Sequence, residues 1–112
     1  MSLSTHILDT HRGCPAPYIN VRVYTYEDES QQNLIFEGKT DEDGRARDLI
    51  TSPHNRKGLY RIVFEVGSYH ADLGIEGFYP EVSILFNVQD PDSHYHVPLL
   101  ISPFGFSTYR GS

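Results

Sequence analysis

The end of the chain holds the side chains best suited to chemistry. His94 and His96 are separated by one residue, and Tyr109-Arg110-Gly111-Ser112 closes the chain. Imidazole titrates near neutral pH, so histidine serves as a general acid, a general base or a metal ligand. Most chains end in residues that bury little surface and fray. Because residues 94–112 are rich in aromatic, aliphatic and titratable groups, we expect this end to be built into the fold, with its carboxylate near the chemistry.

Metal binding and serine catalysis both find weak support. His94 and His96 have the spacing of two ligands on one strand, yet no third ligand follows at a recognisable interval. Zinc sites normally use three or four protein ligands, so no metal is predicted. Ser107 has no histidine and acid at the spacing of a catalytic triad. Asp90, Asp92 and His94 together suggest calcium binding or a catalytic relay, but Asp90 and Asp92 are better explained as residues that shape the turn at Pro91.

Two further candidates lie far from this end. His6 sits within a predicted strand, where an isolated imidazole is most simply a surface group. Arg45 follows the acidic turn Asp41–Gly44, and its simplest role is to pair with those carboxylates, which contributes little at a surface. Cys14 is the only cysteine, which excludes an intrachain disulfide and agrees with a reducing compartment. Its place in the predicted turn Arg12–Pro15 favours a structural role over a nucleophilic one.

Period-two alternation of apolar and polar residues predicts the elements that position these groups. It predicts eight short strands, at Leu3–Asp9, Val21–Tyr26, Leu34–Lys39, Asp48–Ile50, Leu59–Val66, Glu81–Val88, His94–Ile101 and Phe106–Arg110. One short helix is predicted at Ser68–Gly74, with Gly74 ending it. Short strands separated by regular turns are typical of an antiparallel sandwich. We therefore expect one all-β domain over residues 1–112.

The strand His94–Ile101 divides its side chains between two faces. Tyr95, Val97, Leu99 and Ile101 form the predicted core face, and His94, His96, Pro98 and Leu100 form the other. This second face is too apolar for free solvent and too polar for a core, so it is expected to meet a ligand or another subunit. Since proline donates no hydrogen bond, Pro98 predicts an edge, a bulge or an interface.

Charge and composition exclude several classes of function. The 112 residues carry a formal net charge of −6, which argues against nucleic acid and acidic membrane surfaces as partners. No apolar run approaches the ~20 residues of a membrane-spanning helix. The first residues lack the basic and apolar pattern of a secretory signal, and the last three are not a peroxisomal signal. We expect a cytoplasmic protein.

Three segments together resemble the 5-hydroxyisourate hydrolases, the transthyretin-related enzymes of urate catabolism. They are Ser4–Asp9 followed by Arg12-Gly13-Cys14-Pro15, then Thr40–Arg45, and finally His94–Leu100 continued by Tyr109-Arg110-Gly111-Ser112. The likeness runs from Leu3 to Ser112, and none of the three motifs departs from the family pattern.

The resemblance implies an activity, a fold and an assembly. Members of this family hydrolyse a cyclic amide bond of 5-hydroxyisourate, giving 2-oxo-4-hydroxy-4-carboxy-5-ureidoimidazoline, without cofactor or metal. The implied fold is a transthyretin-like sandwich of two four-stranded antiparallel sheets. The implied assembly is a homotetramer, a dimer of dimers with active sites in a channel between dimers. The implied catalytic residues are His6, Arg45 and His96; the first two also bind substrate, together with Tyr109, Ser107, Arg110, Gly111 and Ser112.

A carrier of the same superfamily is the alternative. Transthyretin-like carriers hold an aromatic ligand in the corresponding channel and extend beyond the position of Ser112. They have lysine in place of His6, glutamate in place of Arg45, and threonine in place of both His96 and Tyr109. Because all four positions here have the enzyme residue, the resemblance favours the hydrolase. The roles of His11, His94 and Cys14 stay open.

Overall fold

The computed structural model describes residues 2–112, and Met1 lies outside them. The strands are β1 (Ser2–Asp9), β2 (Cys14–Pro15), β3 (Asn20–Asp28), β4 (Gln31–Lys39), β5 (Arg45–Ala46), β6 (Gly58–Phe64), β7 (Val82–Val88), β8 (His94–Ser102) and β9 (Gly105–Thr108). One helix, α1 (Val66–Asp72), follows β6. No helix within residues 2–112 has the length and apolar character needed to cross a membrane.

The strands form two sheets. One sheet has the order β2-β1-β8-β9, with the short β5 also paired to β1, and the other has the order β4-β3-β6-β7. The predicted all-β sandwich with one short helix is confirmed. One pairing departs from the antiparallel expectation, because β1 and β8 run parallel along residues 2–9 and 94–101. Parallel neighbours need a long connection, and the whole second sheet supplies it.

Alternation along the strands decides what is buried. In β1 every second residue from Leu3 to Asp9 is buried, and in β3 the buried positions run from Val21 to Thr25 in the same way. The buried side chains of both sheets form one apolar cluster, with Tyr60 and Phe64 of β6 among its largest members. The opposite face of β1 and β8, which carries the histidines, is left outside this core.

The strand predicted at Asp48–Ile50 is wrong. Asp48 has a φ of +57°, which is incompatible with extended backbone. The segment instead enters the core irregularly, and the backbone N–H of Leu49 donates to the carbonyl of Leu3 at 3.0 Å. The strand that does pair here is β5, at Arg45–Ala46, three residues earlier.

Pro98 lies in an interior strand, so of the edge, bulge or interface predicted for it the edge is excluded, while the interface stays a prediction. Pro98 does interrupt pairing. Its carbonyl faces the C-terminal segment and accepts from Thr108 Oγ1 at 2.7 Å. The β8–β9 ladder ends at Leu99 and Thr108, and one further bridge joins His96 to Gly111. The missing proline N–H explains the gap between them. The single-domain prediction over 1–112 stays a prediction.

Candidate active site

Strand register brings three predicted site residues to one face of the first sheet. His6 of β1 pairs with Arg45 of β5 on one side and with Pro98 of β8 on the other. His96 lies two pairs earlier in β8, opposite Ser4. Because alternate residues of a strand share a face, Ser4, His6, His96 and Pro98 all project away from the core. Residues from three separate strands thereby converge on one surface.

His96 is held on two sides. Its Nδ1 lies 2.9 Å from Ser4 Oγ, and its carbonyl accepts from the backbone N–H of Gly111 at 2.7 Å. The imidazole covers the space beside Gly111, where a Cβ would lie only 2.6 Å from His96 Cδ2. Glycine is therefore required at 111 for the C-terminal segment to approach the ring this closely. Nε2 makes no hydrogen bond within residues 2–112.

The pKa of His96 is lowered from its ordinary value of 6.5. Partial burial is the largest cause, and the electrostatic effects of His94, Arg45 and His6 act in the same direction, whereas a backbone hydrogen bond with Ser4 raises the pKa. Burial and the neighbouring groups disfavour the imidazolium form. At neutral pH the ring is therefore uncharged and able to accept a proton.

The His6 ring is held by a hydrogen bond at Nε2, whereas the His96 ring is held at Nδ1. Its Nε2 lies 2.9 Å from the carbonyl oxygen of Asp43. Since a carbonyl oxygen only accepts hydrogen bonds, the proton of this bond is on Nε2. In the neutral ring Nδ1 then carries the lone pair. His6 and His96 thus use opposite nitrogens for support.

The turn before β5 positions Arg45 without pairing its guanidinium. The Asp41 carboxylate accepts from the backbone N–H groups of Arg45 and Asp43, at 3.0 and 2.9 Å. These bonds, the one from Arg45 foremost, lower the pKa of Asp41. The two ion pairs found within residues 2–112 involve Arg22 and Arg61 instead. The ion pair that the sequence suggested between Arg45 and the acidic turn is therefore not among those of residues 2–112, and the guanidinium is available to a ligand.

His94 repeats the arrangement of His96 two residues earlier. It is exposed, its Nδ1 is hydrogen-bonded to Ser2 Oγ, and its ring stacks on that of His96 with centroids 6.5 Å apart at 12°. No group of three or more His, Cys, Asp or Glu residues in the described chain has the arrangement of a metal site. The pair therefore forms an imidazole stack.

The C-terminal residues divide between the two faces of the sheet. The guanidinium carbon of Arg110 lies 4.4 Å from the centroid of the Tyr95 ring, on the core side. Ser107 pairs with Leu100, which shares its face with the histidines. Tyr109 instead lines a cavity together with Tyr95, Val97 and Arg110. Tyr109 is 60% exposed. The predicted roles of Tyr109, Ser107, Arg110 and Ser112 in a single site stay predictions.

Sequence reasoning did not identify the supporting groups of this site. Ser4 and the Asp43 carbonyl contact the two histidines, and neither was singled out beforehand. The signal for Ser4 lies in the pairing of β1 with β8, because parallel register sets Ser4 beside His96. That pairing cannot be read from the alternation of either strand alone. No sequence pattern indicates a backbone carbonyl as a partner.

Comparison with known proteins identifies the family of this chain. Residues 3–111 match the HIUase/Transthyretin family. The 5-hydroxyisourate hydrolase of Salmonella typhimurium is 41% identical over 110 residues, covering 98% of this chain and 80% of that protein. The structure of Klebsiella pneumoniae 5-hydroxyisourate hydrolase matches with a TM-score of 0.85 at 33% identity, covering 99% of this chain and 98% of that one. Sea bream transthyretin in complex with thyroxine matches with a TM-score of 0.89 at 30% identity, covering 97% and 93% of the two chains. The chain therefore belongs to the HIUase/transthyretin family.

Proposed function

We propose that this protein is a 5-hydroxyisourate hydrolase, which opens a ring of its substrate by hydrolysing a cyclic amide. Water adds to the amide carbonyl, the carbon–nitrogen bond breaks, and the nitrogen leaves with a proton. The product is 2-oxo-4-hydroxy-4-carboxy-5-ureidoimidazoline, an intermediate on the way from urate to allantoin. No cofactor or metal takes part in this proposal.

The observation that carries the proposal is the convergence of His6, Arg45 and His96 on one face. His96 Nε2 takes the proton from the attacking water, since the lowered pKa keeps this ring neutral. Arg45 donates to the carbonyl oxygen, which gains negative charge as water attacks. His6, held by the Asp43 carbonyl, orients the water or the substrate through Nδ1.

The C-terminal residues complete the substrate pocket in this proposal. Tyr109 donates a hydrogen bond to the substrate and shapes the pocket. The family motif assigns Ser107, Arg110, Gly111 and Ser112 to its wall, although Arg110 packs on Tyr95 at the other face of this sheet. Support for this part comes from the family motif and from the contact of Gly111 with the His96 ring.

We further propose a homotetramer, a dimer of dimers in which the histidine face is covered by the same face of another subunit. A flat sheet surface does not enclose a small planar substrate, whereas symmetric pairing of two such surfaces builds a channel. Leu8 and Leu100 are half-buried beside the histidines and would add apolar contact. Light scattering is expected to give a tetramer, and a fully active monomer would contradict this assembly. The proposed compartment is the cytoplasm, where the free thiol of Cys14 is stable.

The decisive experiment adds purified protein to freshly generated 5-hydroxyisourate. The loss of ultraviolet absorbance is compared with the slow spontaneous decay, in the presence and absence of a chelator. We expect strong acceleration that chelator leaves unchanged. Equal decay with and without protein would reject the hydrolase.

The alternative, a transthyretin-like small-ligand carrier, rests on the structural match to sea bream transthyretin in complex with thyroxine. A carrier would bind an aromatic ligand such as thyroxine tightly and leave hydroxyisourate decay unchanged. The lysine, glutamate and threonines of the carriers are replaced here by His6, Arg45, His96 and Tyr109. The hydrolase is therefore the proposal that the site supports best.

A further inference from the structure

Two serine–histidine pairs lie side by side on the face that carries the site. The parallel register of β1 and β8 sets Ser2 opposite His94 and Ser4 opposite His96, and in each pair the serine Oγ is hydrogen-bonded to Nδ1. The two pairs have the same chemistry but different surroundings. His94 is exposed, whereas His96 is half-buried and closest to the other site residues.

The Ser4 contact selects the orientation of the His96 ring. A histidine ring can turn about its terminal torsion with little preference, which exchanges the places of its nitrogens and carbons. A hydrogen bond at Nδ1, 2.9 Å long, selects one of the two orientations and leaves Nε2 as the nitrogen without a partner. The partner of one nitrogen decides what the other can do, as is known for histidines with structural partners.

The C-terminal segment closes the other side of this ring. A side chain at Gly111 would collide with His96 Cδ2, and the Gly111 N–H fixes the His96 backbone. The ring is therefore packed against Gly111 while Ser4 holds its Nδ1. Packing alone restricts the position of the ring, but it does not distinguish nitrogen from carbon. Among the side-chain contacts in residues 2–112, the one with the Ser4 hydroxyl makes that distinction.

We propose that Ser4 is a positioning residue that accepts a hydrogen bond from His96 Nδ1–H and thereby leaves an unprotonated Nε2 for catalysis. Its catalytic consequence rests on the proposed hydrolase function, whereas its effect on the ring does not. The titratable and charged groups around His96 are His94, Arg45 and His6. Ser4 is neutral, so replacing its side chain leaves these groups in place.

A pair of nearly isosteric variants isolates the hydroxyl. Ser4→Thr keeps the oxygen, Ser4→Val replaces it with a methyl group, and both β-branched residues suit a strand. We expect Ser4→Val to lower kcat about tenfold, the scale of losing a group that orients a histidine, with KM within about twofold. Ser4→Thr should stay within about twofold of the native kcat. Ser2→Ala, which removes the equivalent bond to His94, is the matched control and should also stay within about twofold.

Nitrogen-15 NMR of the histidine rings tests the proposal without any substrate. In the native protein His96 should show the Nδ1–H tautomer, and Ser4→Val should convert it to a mixture of both tautomers while Ser2→Ala leaves it unchanged. An unchanged His96 tautomer in Ser4→Val, or equal loss of kcat in Ser4→Thr and Ser4→Val, would overturn the role of Ser4. If Ser4→Val does not fold, Ser4→Ala serves in its place. A native protein that does not accelerate hydroxyisourate decay would reject the proposed function, and the tautomer measurement would still decide the role of Ser4.

Discussion

Gly44 lies directly against Ile7, with the Ile7 N–H donating to the Gly44 carbonyl at 2.8 Å. This contact fixes the acidic turn to β1 immediately beside His6. The residues on either side of Gly44 are Asp43, whose carbonyl accepts from His6, and Arg45. One close backbone contact therefore sets the positions of two proposed catalytic side chains.

Gly44→Ala is expected to damage both stability and activity. Gly44 has a φ of +77°, and a Cβ would lie 2.6 Å from the Ile7 carbonyl oxygen, so the turn must move away from β1. We expect a loss of about 2 kcal/mol in the free energy of unfolding and at least a tenfold loss of kcat/KM. Denaturant unfolding and turnover of hydroxyisourate measure the two effects.

Gly13→Ala is the matched control for Gly44→Ala. Gly13 has a similar φ of +71°, but a Cβ there meets nothing within 4 Å. Gly13→Ala should lose only the stability that corresponds to backbone strain at this φ, and it should keep the native activity. Equal loss of activity in both variants would show that the contact with Ile7 does not position the site.

Substitution of the proposed catalytic residues should abolish most turnover. His6→Gln, Arg45→Gln and His96→Gln are each expected to lower kcat by about 10²-fold or more, the scale of losing one acid–base or oxyanion group. His11→Gln changes an exposed histidine and is expected to leave kcat unchanged. Full activity in His96→Gln would remove this residue from the mechanism.

The pH dependence should report His96. Because its pKa lies below 6.5, kcat/KM is expected to fall on acidification with an apparent pKa below that value. His94→Gln removes a neighbouring group that lowers the pKa of His96, so it should move this acid limb upward in pH. Measuring kcat/KM against pH for the native protein and for His94→Gln, at constant ionic strength, tests this shift. A shift in the opposite direction would contradict the electrostatic role of His94.

The same group makes stability depend on pH. Between the lowered pKa of folded His96 and 6.5, the unfolded chain binds more protons than the folded chain. The contribution of His96 to the free energy of unfolding is therefore fully present above about pH 6.5. It is lost as the pH drops from that value through the pKa of the folded state. His96→Gln should flatten this part of the stability profile.

Tyr69→Phe is expected to destabilise the fold away from the site. The Tyr69 hydroxyl donates at 2.7 Å to Oδ2 of Asp9, whose side chain is buried at 1% exposure. Loss of this donor should cost about 1–3 kcal/mol, because the buried carboxylate loses a partner. Tyr18→Phe alters a tyrosine that is 63% exposed and should change stability little.

Alkaline unfolding distinguishes Tyr69 further. Burial, and then the hydrogen bond to Asp9, raises the pKa of Tyr69 to about 12. Between the ordinary value of 10.0 and about 12, the unfolded chain loses this proton while the folded chain keeps it, so stability falls as pH rises. Tyr69→Phe should lack this part of the decline, and an unaltered alkaline profile would contradict it.

Local patterns identified the strands but not all their partners. Alternation placed β1, β7 and β8 within a residue or two, because each has one face in the core. It missed the two-residue strands β2 and β5, which are too short to show a period. The family motifs named His6, Arg45 and His96, and the structure gathers these three. Their supporting groups depend on pairing between distant strands, which no local pattern contains.

The parallel pairing of β1 with β8 also bears on when the site forms. Ser4 and His96 are 92 positions apart, so their contact closes a loop that includes most of the chain. Contacts of such high sequence separation raise the contact order and slow folding. During synthesis β1 can pair early with β2 and β5, but it must wait for β8 before Ser4 meets His96. Appearance of enzymatic activity should therefore mark the final stage of folding.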